Sequence, residues 1–231
     1  MKYYNEVKKW DDYFCADHVV NLVGTISKIL KEKNITNLHY IDIGANVGKV
    51  YDLLDRQHGV TKVWMYEASP ILFSYLDDKY KTDNKVVLNN YAVYKKEGEV
   101  NFDQSSLLDQ IKNRENSLNF GLSKINDQSQ FSVKVKSIKI SDIIRNSQEI
   151  QNNVSFIKID TENVDIEILE DLITVIDLFK SKPIIEFEIN YFVSGIKIEN
   201  AQKILDKFLN LGYNKIDLST IKGDGILIPK Q

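Results

Sequence analysis

Covalent cross-links are the first thing this sequence does without. Cys15 is its one cysteine in 231 residues, so no disulfide can close within the chain, and such usage fits a reducing compartment. Proline is nearly as scarce, at three, and no Pro/Gly-rich stretch or internal repeat divides the chain. That argues for one domain over residues 1–231 rather than two on a flexible linker. No apolar run approaches the ~20 residues that cross a bilayer. Residues 1–14 (MKYYNEVKKWDDYF) mix charge with aromatics and lack the apolar centre of a signal peptide. Charge of one sign is also missing: 30 basic residues stand against 33 acidic ones, a net −3. Bulk electrostatics therefore offer nucleic acid or an anionic membrane no attraction. A cytoplasmic protein with no membrane span is expected.

What is present is ordinary globular material, 43% hydrophobic and 27% charged, ample for a core. Residues 1–36 read as an aromatic N-terminal arm followed by a helix, in which Val19, Leu22, Val23, Ile26, Ile29 and Leu30 recur at helical spacing between Asp17 and Asn34. From residue 38 to 231, short apolar strands alternate with helices. Strands are predicted at 39–43, 61–66, 85–89, 131–136, 154–159, 183–189, 213–217 and 225–229. Helices are predicted at 47–57, from Pro70, from Val164 to Ile173, and at 199–210. This rhythm predicts an α/β fold with a doubly wound, mostly parallel sheet and helices on both faces. An insertion at 103–130, rich in Gln, Ser, Asn and Asp, interrupts it. It reads either as a surface excursion or as a lid over substrate.

The most informative stretch is YIDIGANVGK, residues 40–49. In a doubly wound sheet, ligands bind beyond the carboxyl ends of the strands, beside the first strand. Asp42, Gly44, Asn46 and Gly48 fall at that end. Gly44 permits a positive φ or a close ligand approach, and Gly48 lets the next helix pack tightly against the strand. The Gly-x-x-x-Gly spacing lacks the G-x-G-x-x-G order of a dinucleotide fold, and a carboxylate before the turn would repel pyrophosphate. It suits a cationic or hydroxyl-rich ligand, though a purely structural corner is the alternative. Glu67, directly after the second strand (VWMYE), can accept two ribose hydroxyls. Adenosine without pyrophosphate, held beside carboxylates, points to S-adenosylmethionine.

IDIGANVG, YEASP, NNYAV, FIKIDTENVDIEIL and PIIEFE occur here in the order and rough spacing of the FkbM-type S-adenosylmethionine-dependent methyltransferases, which this chain resembles over about residues 38–217. The resemblance implies the class I methyltransferase (Rossmann-like) fold, a seven-stranded sheet whose last strand is antiparallel. It also implies O-methylation of a hydroxyl on a saccharide, glycan or related small metabolite. Carried over by position, it puts Asp42, Gly44, Asn46 and Gly48 around the methionine and ribose of the cofactor. Glu67 would hold the ribose hydroxyls, and Asn90 and Tyr91 would lie near the adenine. An aromatic beside a strand, such as Tyr91, is otherwise core.

The acceptor side centres on KIDTEN. Lys158, Asp160 and Glu162 alternate at a strand end, and Glu186 and Glu188 alternate on the next strand, as extended chain directs. The family pattern here resembles K-I-D-x-E-G, whereas this chain has Asn163 in place of the glycine. Asparagine is the non-glycine residue that best tolerates a left-handed turn. Three readings of the acids stand side by side: pairing with Lys158, a base or acceptor-orienting cluster led by Asp160, or oxygen ligands for a divalent cation. His18, His39 and His58 have no ligand spacing, and no metal is expected. The rivals to a small-molecule or glycan acceptor are an RNA ribose 2′-O-methyltransferase and a silent cofactor-binding module.

Overall fold

The computed structural model describes residues 3–13, 17–104, 107, 124–125, 132–161, 164–189, 198–218 and 225–230. Strand β1 (Leu38–Ile43) lies at the centre of a seven-stranded sheet. It pairs in parallel with β2 (Val60–Tyr66) on one side and β8 (Val154–Ile159) on the other. Beyond β2 comes β3 (Val86–Asn89), and beyond β8 come β9 (Ile184–Phe187), β11 (Gly225–Pro229) and β10 (Tyr213–Asp217), giving the order 10-11-9-8-1-2-3. The last strand, β11, runs antiparallel to both neighbours. The chain winds outward from β1 to β3 and then returns to lay β8 against β1. The switch point, where such sheets bind ligands, therefore lies between β1 and β8.

Alternation along β1 divides the core in two. Ile41 and Ile43 join a cluster with helices α5 (Ile140–Arg145), α6 (Gln148–Asn153), α7 (Asp165–Ile173) and α8 (Ile198–Asn210). Leu38 and Tyr40 face the other side, toward α2 (Asp17–Glu32), α3 (Lys49–Gln57) and α4 (Pro70–Lys79). Covered on both faces, the central strands can be apolar almost throughout.

Local chemistry fixes the helix ends. Ser69 accepts the amide of Leu72 and Pro70 occupies the first turn, so α4 starts where its sequence directs. Asn34 takes φ 55° after α2 while the Ile35 amide reaches back to the Leu30 carbonyl at 2.9 Å, a left-handed helix stop.

Three features depart from the sequence reading. The N-terminal arm is a helix, α1 (Tyr4–Tyr13), whose Val7 is buried beside Tyr75 and Leu76 in the second core cluster. Helices α5 and α6, six residues each, are too short for a period to show. The strand expected at 131–136 runs Ser132–Ile138 as β7 and belongs to a second, four-stranded sheet. There it pairs antiparallel with β5 (Gly98–Asp103) and parallel with β4 (Ala92–Val93), while β6 (Lys124–Ile125) adds to β5. Most of the 103–130 insertion, and with it the lid reading, lies outside the described residues. No helix among the described residues is long and apolar enough to cross a membrane.

Candidate active site

At the end of β1 the chain must turn sharply into α3, and it does so through left-handed backbone. Gly44, Asn46 and Gly48 have φ of 76°, 55° and 76°. The amides of Gly44 and Ala45 both donate to the Tyr66 carbonyl at the end of β2, at 3.0 and 3.2 Å. The need for glycine at 44 is steric as well as conformational. A Cβ there would lie 1.9 Å from the backbone oxygen of Asp160, at the end of β8. At Gly48 a Cβ would meet the Tyr80 hydroxyl at 2.2 Å, so the close neighbour is Tyr80, which ends α4, rather than the sheet. Gly44→Ala combines an unfavourable φ with overpacking against main chain and should cost about 3 kcal/mol. Denaturant unfolding measures this.

Glu67 closes the other side of the turn. Its carboxylate accepts the Asn46 amide on Oε2 and the Ser69 amide on Oε1, each at 2.8 Å. Asn90 donates its side-chain amide to the carbonyls of Glu67 and Ala68, at 2.8 and 3.3 Å, and so holds that strand end. Burial pushes the Glu67 carboxyl up to about 7, against the pull of the two amides and Lys158. The two amides occupy two of the roughly four lone-pair sites of a carboxylate, leaving acceptor capacity for about two more donors on this buried side chain. Tyr91 is half-buried and packs against the first core cluster.

Beneath the turn, three strands present charge in a row. Asp42 on β1 is in register with Lys158 on β8, and Lys158 with Glu186 on β9. All three are buried. Lys158 Nζ lies 3.2 Å from Asp42 Oδ1 and 3.5 Å from Asp160 Oδ2, and it donates to the Gly44 carbonyl at 3.0 Å. Burial alone would lower the lysine pKa, but Asp42, Asp160 and Glu186 together hold it well above its ordinary value. Burial raises the Asp42 carboxyl while Lys158 pulls it back. The aspartate in the buried run thus faces a cation from its own fold, a lysine one strand away.

Of the acceptor-side candidates, Asp160 sits at the carboxyl end of β8. Its side chain is 34% exposed, its amide bonds to the Ile43 carbonyl at 3.1 Å, and its carbonyl touches Gly44. Glu188 follows β9 at the same edge, its amide on the Ile159 carbonyl at 3.1 Å. Lys158 and Glu186 are enclosed in the buried row. Glu162 and Asn163 lie outside the described residues. Among the described residues, no three His, Cys, Asp or Glu side chains are grouped to hold a metal ion.

Sequence reasoning missed Asp165. Its carboxylate accepts the Thr161 amide at 3.0 Å and the Thr161 hydroxyl at 2.9 Å, tying the chain after Asp160 to the start of α7. Burial and nearby Asp160 raise its pKa well above the usual range. A threonine four residues before an aspartate in a helix's first turn was the signal available. A second miss, around Asp11, Lys49 and Lys79, involves contacts across 27 to 68 residues of sequence, which spacing cannot reveal.

The family model for the Methyltransferase FkbM domain matches residues 42–215, most of the chain. The chain belongs to the FkbM methyltransferase family. Its fold is similar to the crystal structure of Methyltransferase FkbM from Methylobacillus flagellatus KT, at TM-score 0.52 and 17% identity over 83% of this chain. This chain spans 43% of that protein's length. It is also similar to the METTL16 MTase domain, at TM-score 0.51 and 11% identity, covering 90% of this chain and 66% of that one. A sequence comparison with curated proteins finds no match. The FkbM match begins at Asp42 and takes in the turn, Glu67, Asp160, Glu186 of β9 and Glu188 after it; helices α1 and α2 precede it.

Proposed function

We propose that the protein transfers a methyl group from S-adenosylmethionine to a hydroxyl oxygen of a saccharide, glycan or related small metabolite. The observation that carries this reading is the position of Asp160. It is a partly exposed carboxylate at the end of β8, with its own main chain against Gly44 of the turn that would hold the donor.

The residues present suit that donor. Two lone-pair positions on Glu67 match the two hydroxyls of a ribose, and the Asn46 amide orients that carboxylate. Gly44 to Gly48 would surround the methionine and ribose portion, with Asn90 and Tyr91 on the adenine side. When bound, the sulfonium supplies an electrophilic methyl carbon. The protein then has to bring an acceptor oxygen to about 3–3.5 Å along the line of the breaking bond. Asp160, within reach of that edge, would take the hydroxyl proton as the new bond forms. Glu188, at the neighbouring strand end, would orient the acceptor. Lys158 and Glu186 serve as the buried support of the turn.

Two measurements follow. A screen with methyl-labelled S-adenosylmethionine over sugars, glycans and RNA should label a carbohydrate or small hydroxylated acceptor. Label on RNA alone would reverse the acceptor class. The second uses Glu67. Ionised, it accepts both hydroxyls; protonated, it gives up one acceptor position. With its carboxyl near 7, affinity for S-adenosylhomocysteine should rise by up to about tenfold between pH 6 and pH 8 as the ionised fraction grows. Glu67→Gln should bind more weakly and flatten that profile. An unchanged slope in Glu67→Gln assigns the titration to another group.

A further inference from the structure

The N-terminal helix lies outside the matched family domain, yet one of its side chains reaches the turn through a charged network. Asp11 of α1 is buried, at 5% exposure. Its Oδ1 lies 2.9 Å from Lys49 Nζ, at the first residue of α3. Its Oδ2 accepts Tyr75 Oη at 2.7 Å and Lys79 Nζ at 2.8 Å. Lys79 in turn donates to the Val47 carbonyl at 2.8 Å and to Asp52 Oδ2 at 2.7 Å. Tyr80 completes the frame, bonding to the Gly48 carbonyl at 3.0 Å and to Asp52 Oδ1 at 2.8 Å. Asp11 therefore bonds directly to the lysine that holds the Val47 carbonyl, and is linked by way of Lys79 and Asp52 to Tyr80, which holds the Gly48 carbonyl.

The charges explain why this arrangement needs Asp11. Two lysines converge on one small region, and two aspartates, Asp11 and Asp52, neutralise them. Burial opposes ionisation of Asp11, but hydrogen bonds from Lys79, Tyr75 and Lys49 bring its pKa below the ordinary value. Without Asp11, Lys49 would lose its ion pair with that carboxylate, and Lys79 would lose one of its three oxygen partners. The rest of α1 docks by other means. Val7 is fully buried, and Tyr4 donates to Asp78 Oδ2 at 2.6 Å and lies against the Tyr75 ring at 5.5 Å.

We infer that Asp11 is a positioning residue for the methyl-donor turn, and that helix α1 is thereby a working part of the donor site rather than an appended arm. The inference rests on the donor assignment proposed above. It acts through Lys79 on the Val47 carbonyl, through Lys79 and Asp52 on Tyr80 and so on the Gly48 carbonyl, and through Lys49 on the start of α3, with no contact to the ligand required.

The test uses the full chain and two readouts. Asp11→Ala, with the isosteric Asp11→Asn should the first variant fail to fold, is compared with Tyr4→Phe. Tyr4→Phe removes a hydrogen bond of the same helix that does not lead to the turn. In ligand-free protein, amide exchange across residues 44–52 should quicken in the Asp11 variants and not in Tyr4→Phe. Calorimetric affinity for S-adenosylhomocysteine should fall about tenfold in the Asp11 variants and stay within twofold of wild type in Tyr4→Phe. Wild-type affinity in an Asp11 variant overturns the inference, as does an equal loss in Tyr4→Phe, which would make α1 a general brace. A folded wild type that binds no S-adenosylhomocysteine instead overturns the donor assignment, and this inference with it.

Discussion

Replacing Lys158 by methionine should destabilise the protein by about 3–5 kcal/mol at neutral pH, the range for removing one partner of a buried ion pair. Methionine fills much of the lysine's volume, so the loss comes mainly from charge. Asp42, with no exposed surface, keeps its carboxylate and loses the ammonium 3.2 Å away, and the Gly44 carbonyl loses its donor. The pH dependence has a definite sign. In the variant, burial is no longer offset at Asp42, so its folded pKa rises further above the unfolded value near ~3.9. A carboxyl raised in this way gives stability that is complete below the unfolded pKa and is lost as pH climbs toward the folded one. The gap between wild type and variant should therefore be narrow near pH ~4 and widest near neutrality. Urea unfolding across that range measures it. A gap that does not change with pH would assign the loss to packing instead.

The second large effect concerns turnover. Asp160→Ala should lower kcat by about 10²–10⁴-fold, the contribution of a positioned general base, while affinity for S-adenosylhomocysteine changes little. The separation follows from the geometry. The Asp160 side chain is the partly exposed member of the charged group, and what it gives the turn comes from its main chain, which the substitution retains. Lys158 keeps Asp42 and Glu186 beside it, so the fold should tolerate the change. Once an acceptor is in hand, single-turnover kinetics and calorimetry on the same preparation check both halves. An Asp160→Ala enzyme with near-wild-type kcat would move the base to another strand end, with Glu188 next in line.

The sheet was legible because each central strand is short, apolar and bounded by turn chemistry. The antiparallel final strand came from family resemblance rather than from pattern. Gly44 and Gly48 were recognisable as turn glycines, but not for the right neighbours. Spacing along one chain could not tell that Gly44 would meet Asp160, 116 residues later, or that Gly48 would lie under Tyr80. The sequence suggests a cationic or hydroxyl-rich ligand for Asp42 but gives no sign of its partner within the fold, Lys158, because parallel register, which sequence alone does not reveal, sets those two side chains level. The same register aligned Glu186 with Lys158 and drew both away from the open edge, leaving Asp160 and Glu188 there. Helix α1 was hidden for a different reason: its ten residues carry little apolar periodicity, and tyrosines and one buried aspartate hold much of it in place.

The central claim is that the turn from Gly44 to Gly48, closed by Glu67, is a methyl-donor site. Isothermal titration of the folded wild-type protein with S-adenosylhomocysteine tests it most directly. Saturable binding at one site per chain, weakened by Glu67→Gln, is the predicted result. A folded protein that takes up neither S-adenosylhomocysteine nor S-adenosylmethionine would contradict it.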